Sequence, residues 1–325
     1  MNDNYLPIPP LFIILNDDIN FNIYLKHNND YVLYATPASF KDEHKVKLKE
    51  YDVEYIYISN NEKINYHDYI EKKLPDILNS PVIPSTEKAK LIYNHSLELV
   101  DDMFVKSKPN VLDTSNYIQI KNLINNIFSF ITNTGNGIQT IQKLISTSYD
   151  NYVHCMNTCV YAMSLMLHHS ITNNNDRPKR SVIRQIGTAA ILHDIGKIKI
   201  DQNILNKREK LTNREFEEIK KHTIYGLEMS QFMELDQTIS NCILFHHEKL
   251  DGSGYPTGTT NISYQAQIVS IADIYAAMTC DRVYRKKLSA FESLKYMNKE
   301  VSRNRLNKEL VKSFIELISS NQFTI

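Results

Sequence analysis

The sequence has no excess of charge of either sign, few cysteines and no long apolar run. Its 37 Lys and Arg balance 37 Asp and Glu, so no basic field attracts nucleic acid as a polyanion. Four cysteines in 325 residues are too few for a disulfide framework, and we expect buried, reduced thiols. No segment approaches the ~18 uninterrupted apolar residues of a membrane span, and the N-terminus lacks a basic start. These absences predict a cytoplasmic protein with no membrane span and no nucleic-acid polymer as its partner.

The first part of the chain differs in pattern from the rest. Short runs rich in Ile, Val and Tyr alternate there with turns and short helical stretches, which predicts a small α+β domain. The candidate strands are 11–15, 21–26, 31–36 and 53–59. Asn28–Asp30 separates the second and third candidate strands and has the residue types of a hairpin turn.

Two prolines end this first region. Pro81 and Pro84 interrupt the helical pattern, and Ser85 or Thr86 can cap the helix that follows. Later helices are predicted at 90–105, 117–132, 138–170, 181–195, 212–233, 237–248, 262–279 and 288–318. We therefore predict a mainly α protein with an accessory or regulatory α+β domain over 1–84, a helical connecting region over 85–139 and an all-helical domain over 140–325.

The all-helical domain contains histidines and aspartates that helices can bring together. The candidates are Asp150, His154, His193, Asp194, His222, His246, His247 and Asp273. Asp150 and His154 are four residues apart, so they share one face of a helix. Imidazole and carboxylate together suit divalent first-row metals. Eight candidates exceed the needs of one ion, so the set predicts at least two ions, with Asp194 able to bridge them.

A single buried histidine is more often hydrogen-bonded in a core than bound to a metal. We interpret His168 and His169, at a helix end, in that structural way, and we expect His95 at a helix surface. Asp273 favours a metal, because a carboxylate within an apolar helix is a costly buried charge without a cation.

Four motifs of this domain occur together in one known family. They are HDIGK (His193–Lys197), HTIYG (His222–Gly226), HHEKLDGSGYP (His246–Pro256) and IADIYAAMTCDRVYR (Ile271–Arg285). In these motifs and their order the sequence resembles the HD-GYP domain, the branch of the HD hydrolase superfamily that degrades cyclic di-GMP. The resemblance covers residues 140–318. It implies an all-helical metal-binding domain and a phosphodiesterase that hydrolyses cyclic di-GMP to linear pGpG, GMP or both.

The resemblance also assigns metal ligands. It makes His193 and Asp194 the central doublet, with Asp194 bridging two ions and essential for catalysis. The other implied ligands are His154, His222, His246, His247 and Asp273. Asp150 occupies the place of the carboxylate that binds a third ion in some members, although Glu is the usual residue there. Two or three divalent ions, Fe or Mn, are therefore implied.

Three basic residues are implied to hold the substrate phosphates. They are Lys197, Arg282 and Arg285, which suit this role because Arg offers a planar fork and Lys a point charge. Lys197 would also stabilise the developing charge or help protonate the leaving 3′-oxygen. The alternative for Arg282 and Arg285 is a solvated charge run with Lys286 and Lys287.

The GYP motif is expected to shape a loop beside the metals. Gly254 allows a tight turn, Tyr255 would pack against the site, and Pro256 completes the motif. In the family this loop is linked to proteins with GGDEF domains, which synthesise cyclic di-GMP, so such proteins are candidate partners.

The sequence departs from the family pattern at three positions. Ala276, Thr223 and Val283 stand where the family usually has Asp, Pro and Pro, and none of these positions is an implied ligand. Ala276 bears on substrate grip and rate rather than on activity itself. Two alternatives stay open: a non-catalytic protein of this fold that binds cyclic di-GMP or a GGDEF partner, and a hydrolase of another cyclic dinucleotide.

Overall fold

The chain divides into two compact units, Met1–Lys88 and Ala89–Ile325. The computed structural model describes residues 4–14, 19–101, 103, 114–145, 150–174, 176–281 and 286–322. The division falls inside helix α4 (Ser85–Asp101), near residue 84, where the sequence predicts a junction. The roles assigned to the predicted domains stay predictions.

The first unit is a four-stranded antiparallel sheet with helices. Its strands are β1 (Tyr5–Ile8), β2 (Ile23–His27), β3 (Asp30–Ala35) and β4 (Ile56–Ser59), in the order β1-β4-β2-β3. Its helices are α1 (Leu11–Ile14), α2 (Asp42–Glu50) and α3 (Lys63–Asn79). The predicted hairpin is present, because β2 and β3 pair directly and Asn28 adopts a positive φ of 53° between them.

The strand predicted at 11–15 is wrong, because this run contains the short helix α1. The N–H of Ile13 donates to the carbonyl of Pro10 at 3.0 Å, which starts a helical turn. Phe12 and Ile13 are both buried, and a short buried apolar run has no periodicity that separates strand from helix. The strand lies earlier, at β1, where Pro7 is tolerated because β1 is an edge strand.

The second unit is helical in the part that the structure describes, which confirms the mainly α fold. After α4 its helices are α5 (Thr114–Asn133), α6 (Gly137–Gln142), α7 (Asn151–Asn174), α8 (Arg180–Leu192), α9 (Gln202–Leu205), α10 (Asn213–Lys220), α11 (His222–Phe232), α12 (Gln237–Phe245), α13 (Tyr264–Thr279), α14 (Ala290–Ser302) and α15 (Lys308–Gln322). A 3₁₀ turn, Ile195–Lys199, follows α8.

Three of the predicted helices are each two helices. The segment 138–170 contains α6 and α7, 212–233 contains α10 and α11, and 288–318 contains α14 and α15. The break before α15 includes Asn304 with φ 58°, a left-handed conformation that asparagine adopts readily at a helix end. The apolar pattern continues across such short breaks, so periodicity alone does not reveal them.

Helix α7 lies at the centre of the second unit. It packs against α8, α13 and α15, and its buried face includes Cys155, Cys159 and Val160. All four cysteines are buried and free, as predicted. None of the helices in the described ranges is both long and apolar enough to cross a bilayer. The packing of α7 on α8 and α13 brings together the start of α7, the end of α8 and the middle of α13.

Candidate metal centre

Three histidines of the centre are placed by the same local device at a helix end. His193 caps the C-terminus of α8, His246 caps that of α12, and His222 follows the last residues of α10. In each, Nδ1 lies against the backbone carbonyl three residues earlier. The distances are 2.8 Å to Ala190, 2.8 Å to Ile243 and 2.7 Å to Ile219. Carbonyl groups at a helix end lack an intrahelical partner, so the ring N–H satisfies them.

This device fixes which ring nitrogen carries the proton. A carbonyl oxygen only accepts, so Nδ1 donates and the Nε2 atom of each neutral ring presents a bare lone pair. The Nε2 atoms of His222 and His246, two of the rings oriented in this way, lie 3.4 Å apart. Facing lone pairs repel at such distances unless a cation lies between them. The donor set therefore fits divalent metal ions.

Two carboxylates complete the centre. Asp194 places Oδ2 3.3 Å from His193 Nε2 and Oδ1 3.4 Å from His222 Nε2. Its two oxygens therefore face different histidine groups, which is the arrangement of a bridging carboxylate. Asp273 places Oδ1 3.1 Å from His154 Nε2 and Oδ2 3.7 Å from His247 Nδ1.

Three groups of side chains have donor atoms close enough to share an ion. Within each group the donor atoms lie within 4.8 Å of one another. The groups are His222, His246 and His247; His154, His193 and Asp273; and Cys155, His193 and Asp194. Because His193 occurs in two groups and Asp194 faces His222 as well, the groups form one continuous centre.

The carboxylates stay ionised although they are deeply buried. Only 2% of Asp194 and 6% of Asp273 is exposed. Burial raises the pKa of Asp194, but the Lys197 ammonium and His193 outweigh burial and hold that pKa well below its ordinary value. Burial likewise opposes ionisation of Asp273, but the hydrogen bond from His154 and the neighbouring histidines keep its pKa well below normal.

Most of the rings are held neutral, as metal ligands must be. Burial lowers the pKa of His246 to about 3, and burial also lowers the pKa values of His154 and His222. For His247 burial and the adjacent His246 lower the pKa well below normal. In His193 burial opposes protonation, but Asp194 outweighs it and raises the pKa.

Seven of the eight predicted metal ligands lie together in this centre. They are His154, His193, Asp194, His222, His246, His247 and Asp273. Asp150 is exposed, precedes α7 and belongs to none of the three groups; its carbonyl accepts the His154 N–H at 2.9 Å. A metal-binding role for Asp150 stays a prediction.

Of the three predicted phosphate-binding residues, the structure describes Lys197 alone. Lys197 lies in the 3₁₀ turn after α8, and its Nζ is 2.6 Å from Asp194 Oδ2. Arg282 and Arg285 lie outside the described residues. Gly196, between the ligand doublet and Lys197, meets α11 at close range, because a Cβ there would lie 2.5 Å from the backbone N of Gly226.

The GYP motif forms a loop beside the centre. The Tyr255 ring centroid lies 4.7 Å from that of His247, and the Tyr255 N–H donates to the His247 carbonyl at 3.3 Å. Gly254 has no room for a side chain, since a Cβ would lie 2.5 Å from the backbone N of Lys249. Pro256 follows in a cis peptide bond.

Two residues beside the centre were not singled out by the sequence. Cys155 shares a group with His193 and Asp194, and burial raises its pKa well above normal. Glu248 is buried directly after the His246-His247 doublet. Adjacency to a candidate ligand was the available signal for both. The expectation for His95 is wrong: it is 9% exposed, because it lies on the buried face of α4.

His168 and His169, which we interpreted as structural, contact side chains of a neighbouring helix. His169 Nδ1 lies 2.8 Å from the hydroxyl of Ser313, and His168 Nε2 lies 3.7 Å from a carboxylate oxygen of Glu316. Both contacts are made to α15, away from the metal-binding groups.

Comparison with known families identifies the class of protein. The family model described as HD domain matches residues 142–310, more than half of the chain. The chain therefore belongs to the HD domain family, and its motifs place it in the HD-GYP branch.

Two curated relatives match part of the chain. The chain is 28% identical over 213 residues to cyclic di-GMP phosphodiesterase PA4108 of Pseudomonas aeruginosa, covering 64% of this chain and 49% of the relative. It is 35% identical over 115 residues to 3′3′-cGAMP-specific phosphodiesterase 3 of Vibrio cholerae, covering 35% of this chain and 25% of the relative. The chain thus spans about half of the first relative and a quarter of the second.

One solved structure matches nearly the whole chain. It is Bd1817, an HDG"Y"P protein from Bdellovibrio bacteriovorus, with a TM-score of 0.65 and 20% sequence identity. The match covers 97% of this chain and 100% of that structure, and at this identity it supports the fold alone.

Proposed function

We propose that this protein is a metal-dependent phosphodiesterase that hydrolyses a cyclic dinucleotide, with cyclic di-GMP as the substrate and pGpG, GMP or both as products. The observation that carries the proposal is the pair of facing Nε2 atoms of His222 and His246, 3.4 Å apart beside an ionised Asp194. Buried nitrogen lone pairs that face each other in this way are stabilised by a bound cation rather than by hydrogen bonds within the protein.

Two divalent ions would be held by the seven convergent ligands. His154, His193 and Asp273 would hold one ion, and His222, His246 and His247 the other, with Asp194 shared. When bound, a metal pair lowers the pKa of a shared water and neutralises charge on the phosphoryl group. We propose Fe or Mn as the ions, and Asp150 as a ligand of a third.

Lys197 would act between the metal centre and the substrate. Its Nζ donates to Asp194 Oδ2 at 2.6 Å, so it keeps the bridging carboxylate ionised and oriented. Its positive charge would stabilise the negative charge that develops on the phosphoryl group in the transition state, and one of its protons would reach the leaving 3′-oxygen. Arg282 and Arg285 would hold the substrate phosphates through their planar forks.

The substrate class is supported by the names of the relatives. PA4108 is named as a cyclic di-GMP phosphodiesterase, and the Vibrio cholerae relative as specific for 3′3′-cGAMP. The second relative favours another cyclic dinucleotide as the second candidate substrate. The complete ligand set argues against a purely non-catalytic binding protein. We further propose a cytoplasmic location and GGDEF-domain proteins as partners of the GYP loop.

The test is a turnover assay on metal-loaded protein. The protein is purified anaerobically, loaded with Fe(II) or Mn(II), and incubated with cyclic di-GMP, 3′3′-cGAMP and cyclic di-AMP in competition. We expect cyclic di-GMP to be consumed first, with pGpG or GMP identified by mass spectrometry. Bound metal with every substrate intact would contradict the proposal.

A matched pair of variants separates the site from the fold. Asp194→Ala should abolish both metal binding and turnover. Asp201→Ala removes an exposed aspartate that caps α9 and lies outside the metal-binding groups, so it should keep both.

A further inference from the structure

Glu248 is a buried carboxylate that contacts a loop. Only 2% of the residue is exposed, although it directly follows His246 and His247. Its Oε1 accepts three hydrogen bonds: from the N–H of Thr257 at 2.7 Å, the hydroxyl of Thr257 at 2.8 Å and the N–H of Gly258 at 3.0 Å. Three donors on one oxygen offset much of the cost of burying the charge.

The same loop covers His247 at its other end. Tyr255, two residues before Thr257, packs its ring 4.7 Å from the His247 ring at an interplanar angle of 36°. Gly254 lies directly against the backbone of Lys249, so the loop approaches this segment as closely as a residue without a side chain allows. Glu248 and Tyr255 are thus the two ends of one connection to His247.

In the part of the chain that the structure describes, His247 lacks the backbone contact that orients three of the other candidate ligands. His193, His222 and His246 are each oriented by a backbone carbonyl at a helix end. Within the described residues, no carbonyl plays that part for the ring of His247, and 26% of its side chain is exposed. Its orientation toward Asp273 Oδ2, 3.7 Å from Nδ1, therefore depends on packing.

We propose that Glu248 is a positioning residue: it anchors residues 257–258 of the GYP loop so that Tyr255 packs on His247 and holds this ligand in place for the metal. The proposal rests on the metal site of the proposed function. It acts through two contacts joined by the chain: the hydrogen bonds from residues 257–258 to Glu248, and the packing of Tyr255, two residues before Thr257, on His247.

The second carboxylate oxygen indicates which variant is conservative. Oε2 of Glu248 and the hydroxyl of Ser270 have no hydrogen-bond partner among the described residues, and both residues line one small cavity. Glutamine at position 248 would keep an acceptor for the loop and would offer the cavity an N–H donor. Glu248→Gln should therefore retain the anchor, and Glu248→Ala should remove it.

The experiment measures how fast a chelator removes Mn(II) or Co(II) from the 325-residue protein. We expect Glu248→Ala and Tyr255→Ala each to speed metal loss about 10-fold, as supporting contacts to metal ligands do. Glu248→Gln should stay within about 3-fold of wild type, and the Co(II) absorption spectrum should change only in the two alanine variants. The double variant should lose metal no faster than the faster single variant, because both act on one connection.

The control and the contrary outcomes follow from the same contacts. Glu292 accepts hydrogen bonds from the N–H and the hydroxyl of Ser289 at the start of α14. Glu292→Ala therefore loses two bonds of the same kinds, one from a backbone N–H and one from a hydroxyl, and should keep wild-type metal retention. If Glu248→Ala does not fold, Thr257→Val tests the anchor instead, because it removes the hydroxyl that donates to Glu248. We expect this variant to lose metal about 3-fold faster than wild type.

The positioning role would be overturned if Glu248→Ala lost metal at the wild-type rate. If that variant cannot be made, the same result in Thr257→Val would overturn it. So would additive losses in the double variant. A wild-type protein that binds no metal would overturn the proposed function itself.

Discussion

Gly196→Ala is the substitution for which the structure gives the clearest expected cost. The 3₁₀ turn that carries Gly196 presses on the first turns of α11, where an added Cβ would meet the carbonyl of His222 and lie 2.5 Å from the backbone N of Gly226. Both obstacles are backbone atoms, so neither can rotate away, and the turn must shift. Overpacking of this kind costs about 3 kcal/mol in the free energy of unfolding. At about 2–4 °C per kcal/mol for a unit of this size, Tm should fall by about 6–12 °C.

The assay is thermal and urea unfolding followed by far-UV circular dichroism, since the chain has no tryptophan to report by fluorescence. Metal content is measured on the same samples, because a shifted turn moves Asp194 away from His222. Gly135→Ala is the matched control: an added Cβ there meets nothing within 4 Å, so stability should be unchanged or slightly higher. A Gly196→Ala protein within about 0.5 kcal/mol of wild type would refute the reasoning, since that is the spread of unremarkable surface substitutions.

Three further predictions concern stability. The metal-free protein should lose stability as pH falls from 6.5 toward about 3. In this range the unfolded chain binds a proton at His246, whereas burial in the folded protein lowers the pKa of His246 to about 3. The pKa of His193 is raised instead, but the pKa values of His154, His222 and His247 are lowered with that of His246, so the net effect is a loss. Urea titrations at pH 7.5, 6 and 5 check this, and a flat profile would contradict it. Tyr93→Phe should cost about 1–2 kcal/mol, since it removes the buried hydroxyl that donates to Asn157 at 2.7 Å; an unchanged urea midpoint would refute this. Thr212→Ala should lower the free energy of unfolding by about 1 kcal/mol, because it removes the N-cap of α10. An unchanged Tm would contradict this prediction.

Much of the convergent set of candidate ligands could be predicted from the sequence because its chemistry is local. His193 and Asp194 are adjacent, and so are His246 and His247, so each doublet had to be accommodated at one place in the fold. Asp273 stood out because its neighbours on α13 are apolar. Residue type, spacing and the family resemblance together pointed to these side chains; they pointed equally to Asp150, which lies outside the three groups.

Other features depend on packing that no short stretch encodes. The run at 11–15 is apolar throughout, so its sequence pattern does not separate strand from helix; the helix α1 (Leu11–Ile14) follows two prolines, and Phe12 and Ile13 are buried. Cys155 and Glu248 have ordinary local sequence patterns, and only the folded arrangement shows the first near Asp194 and the second under the GYP loop. The pairing of β1 with β4 joins segments about 50 residues apart, which strand propensity does not specify.

The carbonyl groups that orient His193, His222 and His246 have a consequence for mutational tolerance. A backbone oxygen is present whatever side chain stands at positions 190, 219 or 243, so a substitution there leaves the acceptor in place. The protonation pattern of these three rings is thus inherited from helix geometry, and sequence drift in the helix bodies can proceed without disturbing it. Only a change that unwinds the last turn would release the rings.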